Sequence, residues 1–171
     1  MDTILRWASA VLETTAERWL KLTGSLPDEL LTRPAAPGEW SALDCLQHLV
    51  DAERLVFPAR VRHLLAGEDF PAFDPDSQGT KPDVDLSPAA LAQEFAALRA
   101  ASLALVATLS VADLERRSRH EELGIVSLSD LIHEWAAHDL MHSVQAERAL
   151  MQPFIAGCGP WQSYFADHLA G

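Results

Sequence analysis

Two cysteines, Cys45 and Cys158, are all that this chain carries. They are too few for a disulfide framework and suit a reducing compartment better than a secreted scaffold. Bases are also scarce: 13 Lys and Arg stand against 25 Asp and Glu, a formal net charge of −12. That balance argues against a nucleic-acid backbone or an anionic membrane as the main partner and predicts a chain kept apart by self-repulsion. A few local Lys or Arg remain to recruit an anionic small molecule. Alternating runs of β-branched residues are missing, which argues against sheet. The opening MDTILRWASA brings acid and arginine within its first six residues and lacks a basic start leading into an apolar run. The longest uncharged stretch, residues 149–166, is interrupted by Pro153, Gly157, Gly159 and Pro160 and makes a poor membrane span. The expected location is cytoplasmic.

What is present is a folding sequence. Hydrophobic residues make up 49% of 171 residues, enough for one domain over residues 1–171 with a sizeable core. Leu5, Ala8, Leu12, Thr15, Trp19 and Leu22 recur at three- and four-residue steps and predict a first helix over about residues 2–22. SLPDELLTRPAAPGEW, with three prolines and a glycine, follows as a connection. Ser41 caps a second helix, Asp44 closes a capping box, and Trp40 ahead of the cap is placed to staple against Cys45. That helix runs to about Gly67, with Pro58 expected to kink or split it.

DFPAFDPDSQGTKPDVDL, residues 69–86, holds three prolines and five aspartates and reads as a loop, long for a compact domain. Ser87 and Pro88 then mark the start of a third helix. A connection with a short helical turn near 111–116 leads to Ser127 and Asp130, which box the start of a fourth helix running to about Leu150. The tail GCGPWQSYFADHLAG closes as one short helix.

Four amphipathic helices predict an all-α four-helix bundle. A helix of about 24 residues is roughly 36 Å long, and an extended chain covers about 3.3 Å per residue. The loop at 69–86 is therefore long enough to cross the bundle between helices two and three, or to lie over one end as a lid.

Chemistry concentrates in HEWAAHDLMH, residues 133–142, with three histidines and two acids. Leu128, Leu131, Ile132, Trp135, His138, His142, Gln145, Ala146 and Ala149 form one stripe at helical spacing. His138 and His142 thus stand one turn apart on the inward face, about 40° from each other, able to offer two imidazoles to one ion. His133 is about 140° from His138 and about 180° from His142, which places it at the surface or boundary. Its five-residue spacing from His138 also excludes the zinc-protease motif, which needs histidines four apart.

A metal site needs a third ligand from another element. The candidates are His48, His63, His120 and His168. His48 is favoured because it falls outside the polar wedge of Asp44, Gln47, Asp51 and Arg54 and beside Cys45, Ala52 and Leu55. A histidine at the edge of a buried face, with no metal, fits the same pattern.

PAAPGEWSALDCLQHLVDAE, followed some 90 residues later by GIVSLSDLIHEWAAHDLMHSVQ, resembles the DinB/YfiT-like superfamily. In that family W-S precedes the second helix, a histidine lies within it, and H-x-x-x-H sits on the last long helix. The resemblance implies a four-helix bundle with a long crossover between helices two and three. It also implies one divalent metal, zinc or nickel, on His48, His138 and His142, with Glu53 and Gln145 near the site.

It further implies a thiol-dependent S-transferase or a hydrolase acting on a small molecule, with a low-molecular-weight thiol among the candidate partners, and a homodimer. Three neutral imidazoles leave an ion with an open position that can acidify water, polarise a carbonyl or bind a thiolate. No carboxylate in the two motifs is placed as a general base. The alternative reading is a non-catalytic, metal-stabilised bundle acting through partners or in a stress response. Its site would be closed by a fourth ligand such as His63, His168, Cys158 or Asp44.

Overall fold

The computed structural model describes residues 3–79 and 86–170. The expectations for residue 2 and for the 80–85 part of the long loop lie outside the described residues. The architecture is a bundle of four long helices with a long crossover between the second and third, an additional β-hairpin and a short C-terminal helix.

The first long helix, α1 (Thr3–Thr23), turns Leu5, Ala8, Leu12 and Trp19 inward. One turn, α2 (Asp28–Leu31), punctuates the connection that follows. The second long helix comes in three pieces: α3 (Ala42–Asp51), a π-helical turn at Ala52–Val56, and α4 (Phe57–Ala66). Pro58 accounts for the division. It has no amide hydrogen, and its ring crowds the carbonyl four residues back; the wider π turn just before it absorbs both. Gly67, at φ 72°, ends α4 in the left-handed conformation.

The crossover then holds one turn, α5 (Pro75–Gln78), and the third and fourth long helices are α6 (Pro88–Val106) and α7 (Leu128–Gly157). The caps read from the sequence are present. The Ser41 hydroxyl accepts from the Asp44 amide at 3.1 Å while the Asp44 carboxylate accepts from the Ser41 amide at 2.8 Å. Ser127 and Asp130 repeat the arrangement, and Ser87 accepts from the Ala90 amide. The fourth helix outruns its expected end near Leu150, continuing through Pro153 to Gly157. Only one ladder bond is lost there, close to the helix end.

Packing sets the long helices in a ring: α1 lies against α6 and α7, and α3 lies against the same two. The first and second long helices are therefore diagonal to each other, as are the third and fourth, while the second and third are neighbours joined by the long crossover. By length and composition α6 alone among the described helices could cross a membrane; here it packs on α1 and α3 and carries a buried Arg99.

The core has two apolar halves, one around Leu12, Phe57, Leu128 and Trp135, the other around Trp19, Leu46, Phe95 and Leu150. Arg99 joins them. Its guanidinium carbon lies 4.7 Å from the centre of the Phe95 ring and 5.8 Å from that of Trp135.

The segment after α6 differs from its reading as a plain connection. The expected turn is there, a 3-10 helix at Val111–Glu115. Next comes an antiparallel hairpin, β1 (Arg117–His120) with β2 (Gly124–Ser127). Strands of four residues are too short to show an alternation that sequence periodicity can register. Phe70 extends the hairpin: its amide donates to Arg119 O and its carbonyl accepts from the Glu121 amide. The start of the crossover is thereby tied beside α4.

Candidate metal centre

His48 comes from α3, His138 and His142 from α7, and the packing of those two helices brings the three together. One ring nitrogen from each lies within 4.8 Å of the others. The ring centres of His48 and His138 are 4.5 Å from that of His142 and 5.0 Å from each other. The Nε2 atoms of His48 and His138 face one another at 3.0 Å. Two nitrogen lone pairs that close repel unless a proton or a cation lies between them.

All three imidazoles favour the neutral, ligand-ready form. Burial pushes His138 down to about 3, with the nearby His142, His48, Arg99 and Arg60 adding to the fall. Burial and His48 take His142 down to about 4, opposed by its hydrogen bond to Gln145. Burial lowers His48 as well, opposed by Asp51.

Gln145 Oε1 can only accept, so the 2.9 Å contact places the proton on His142 Nδ1 and leaves Nε2 with its lone pair free. Among the described residues, His138 Nδ1 is buried with no hydrogen-bond partner.

Aromatic rings wall the cluster. Trp40 stacks on His142 at 5.7 Å with an interplanar angle of 18° and lies 5.2 Å from His48. It also packs on the core half that contains Cys45. Phe57 presents its edge relation to His138 at 5.1 Å and stacks on Trp135. A cavity of about 150 Å³ opens beside His48 and His138, bounded also by Phe57, Arg60, Phe73 and Glu134.

Among the described residues no fourth His, Cys, Asp or Glu joins the cluster. The residues considered for closing it are engaged elsewhere. Asp44 is held in its capping box, Cys158 donates to Phe154 O and His63 contacts Glu68, while His168 lies in the exposed C-terminal helix outside the cluster. His120 is buried in the hairpin, where its Nδ1 accepts from the Glu122 and Leu123 amides. His133 is exposed and bonded to Ser129 O.

Glu53, read as a neighbour of the site, makes its recorded contacts away from the imidazoles. Its carboxylate accepts from Arg99 Nε at 2.9 Å, from Trp135 Nε1 at 3.1 Å and from the Ser102 hydroxyl. Arg99 also donates to Asp139 at 2.6 and 3.1 Å and to Leu12 O at 2.8 Å. Burial works against the guanidinium's charge, yet Asp139 and Glu53 hold its pKa above the ordinary value. Burial pushes the Asp139 carboxyl up against the opposing pull of Arg99.

Trp135 and Asp139 flank His138 along α7, so this network fixes the helix that carries two of the imidazoles. Sequence reasoning missed Arg99 and Asp139. The one available signal was a lone arginine deep in the apolar run of α6.

Comparison with known proteins places these features. The family described as the DinB superfamily matches residues 11–146. Among solved structures, that of YfiT from Bacillus subtilis, described as "a probable metal-dependent hydrolase with an unusual four-helix bundle topology", is similar with a TM-score of 0.74. The two share 19% sequence identity over 90% of each chain, a likeness of fold. No curated protein matches.

Proposed function

Because the chain belongs to the DinB superfamily, we propose that it is a divalent-metal-dependent enzyme acting on a small molecule, as a thiol-dependent S-transferase or a hydrolase. The ligands would be His48, His138 and His142, and the metal zinc or nickel. The observation that carries this reading is the convergence of three neutral imidazoles beside a cavity, with no fourth ligand of the His, Cys, Asp or Glu type among the described residues. A structural site is closed by four protein ligands, whereas a catalytic one keeps a position open.

The donor set fits such an ion. The Nε2 atoms of His48 and His138 are too close for two lone pairs with nothing between them, and imidazole nitrogen suits zinc and nickel. When bound, the ion would act as a Lewis acid, making a small thiol or a water more acidic or polarising a carbonyl.

The protein's own residues supply the rest. Gln145 sets the His142 tautomer and ring orientation. Trp40, stacked on His142, and Phe57, edge-on to His138, bury the imidazoles, and that burial favours their neutral form. The Arg99 network anchors α7 so that His138 and His142 are held by rigid backbone. The cavity beside His48 and His138 admits the reacting group.

Two assays separate the chemistries. Protein reconstituted with zinc or with nickel is given a panel of small thiols with chlorodinitrobenzene, and separately a panel of nitrophenyl esters. His48-dependent conjugation identifies the transferase, and His48-dependent ester cleavage identifies the hydrolase. Reconstituted protein that does neither contradicts the enzymatic reading.

A further inference from the structure

Arg60, on α4, is the second cation that the fold draws inward, and it is treated unlike Arg99. Its side chain is 12% exposed. Yet among the described residues the guanidinium makes no hydrogen bond. Its nearest acid is Glu134 at 4.0 Å, beyond hydrogen-bonding reach, and its carbon lies 5.6 Å from the centre of the Phe70 ring.

Arg99, more deeply enclosed, spends its donors on Glu53, Asp139 and a backbone carbonyl. A guanidinium has five donors in a rigid fork, and those of Arg60, half-buried and not sealed from solvent, stay open to the cavities that it lines. Burial holds the pKa of Arg60 below its ordinary value, opposed by Glu134 and Glu122, and the group remains a cation at neutral pH.

Its position gives those idle donors an address. Arg60 lines the cavity beside His48 and His138, and it also lines a larger neighbouring cavity of about 370 Å³. Val56 and Phe73 border both as well, so the two spaces meet at Arg60. The larger one is walled mainly by apolar groups, among them Leu55, Ala59 and Phe70.

We propose that Arg60 binds the carboxylate of an amphipathic substrate whose apolar body lies along Phe70 and Phe73 and whose reactive group reaches the histidines. The assignment of that reactive end rests on the proposed function above.

The fork of a guanidinium matches a planar carboxylate with two parallel bonds. A single cation in a largely apolar pocket, in a protein of net charge −12, suits a monoanion better than a phosphate dianion, which recruits several cations. Glu134 is the resident competitor. It is half exposed and reaches Arg60 only loosely, so it can swing into water when the substrate carboxylate arrives.

Hydrocinnamate and its uncharged amide, hydrocinnamamide, test this by calorimetric titration of metal-free and zinc-loaded protein. The carboxylate is expected to bind roughly tenfold tighter than the amide in both forms. Arg60→Met removes that preference while amide affinity stays within about twofold, which reports an intact pocket. Glu134→Gln, which removes the competitor, strengthens carboxylate binding. Arg60→Gln gives the same reading as Arg60→Met if the methionine variant fails to fold.

Carboxylate bound no better than amide by the wild type overturns the inference. So does a preference that survives Arg60→Met. A preference seen only with zinc and indifferent to Arg60 assigns the carboxylate to the ion, which overturns this inference and leaves the metal reading intact. An Arg60-dependent preference in protein that refuses zinc supports the carboxylate site and removes the metal reading alone.

Discussion

His138 shows most plainly what the fold does to a single residue. In water an imidazole takes up a proton near pH 6.5; at this position burial and neighbouring cationic groups move that point down to about 3. Between those values the unfolded chain binds a proton that the folded chain refuses, so stability rises with pH across the interval and falls as the solution is acidified. The metal-free protein should therefore lose stability from about pH 6.5 downward, at most about 1.4 kcal/mol per pH unit for this one group. His138→Gln should show a shallower decline between pH 6.5 and 4.5, measured as urea midpoints in the presence of a chelator. The carboxylates titrate in both proteins, so the difference reports on His138 and the two imidazoles coupled to it. Parallel declines would contradict the burial argument.

At the scale of elements, the bundle is pinned by charge as well as by apolar packing. Arg99 of α6 bonds to Glu53 in the π turn, Asp139 of α7 and the backbone of α1, so one side chain touches every long helix. Removing it strands two buried carboxylates. Arg99→Met is expected to cost about 3–5 kcal/mol in urea unfolding. The triple replacement Arg99→Met, Glu53→Gln, Asp139→Asn should recover part of that loss, because no buried charge is left unpaired. An Arg99→Met protein within about 1 kcal/mol of the wild type would show that the network is dispensable. The π turn belongs to the same account: it lies between Asp51 and Phe57, accommodates Pro58 and supplies Glu53 to the network.

For the whole molecule, the parts legible in the sequence are those governed by local rules. Ser41 with Asp44, Ser87 with Pro88, and Ser127 with Asp130 announced helix starts because a cap is satisfied within three residues. The stripe through His138 and His142 was legible because helical periodicity decides which side chains share a face. That His48 meets them was favoured by its place outside the polar wedge of its helix and implied by the family resemblance, and the packing of α3 on α7 supplies the physical reason. Contacts between distant segments were not legible. Arg99 and Asp139 read as ordinary charges, and Glu53 stood out only through the resemblance, as a neighbour of the metal site, until three helices brought them together. Trp40 read as a helix staple, and only the folded chain shows its ring stacked on His142. The hairpin at 117–127 was too short for any period to register.

The central claim is that the three imidazoles hold a metal. Its most direct test is elemental analysis of protein purified without a histidine tag, beside a His48→Ala, His142→Ala double variant. The account predicts about one zinc or nickel per chain in the wild type and loss of that metal in the variant. A wild-type protein that carries no metal and takes up neither ion when offered would contradict it.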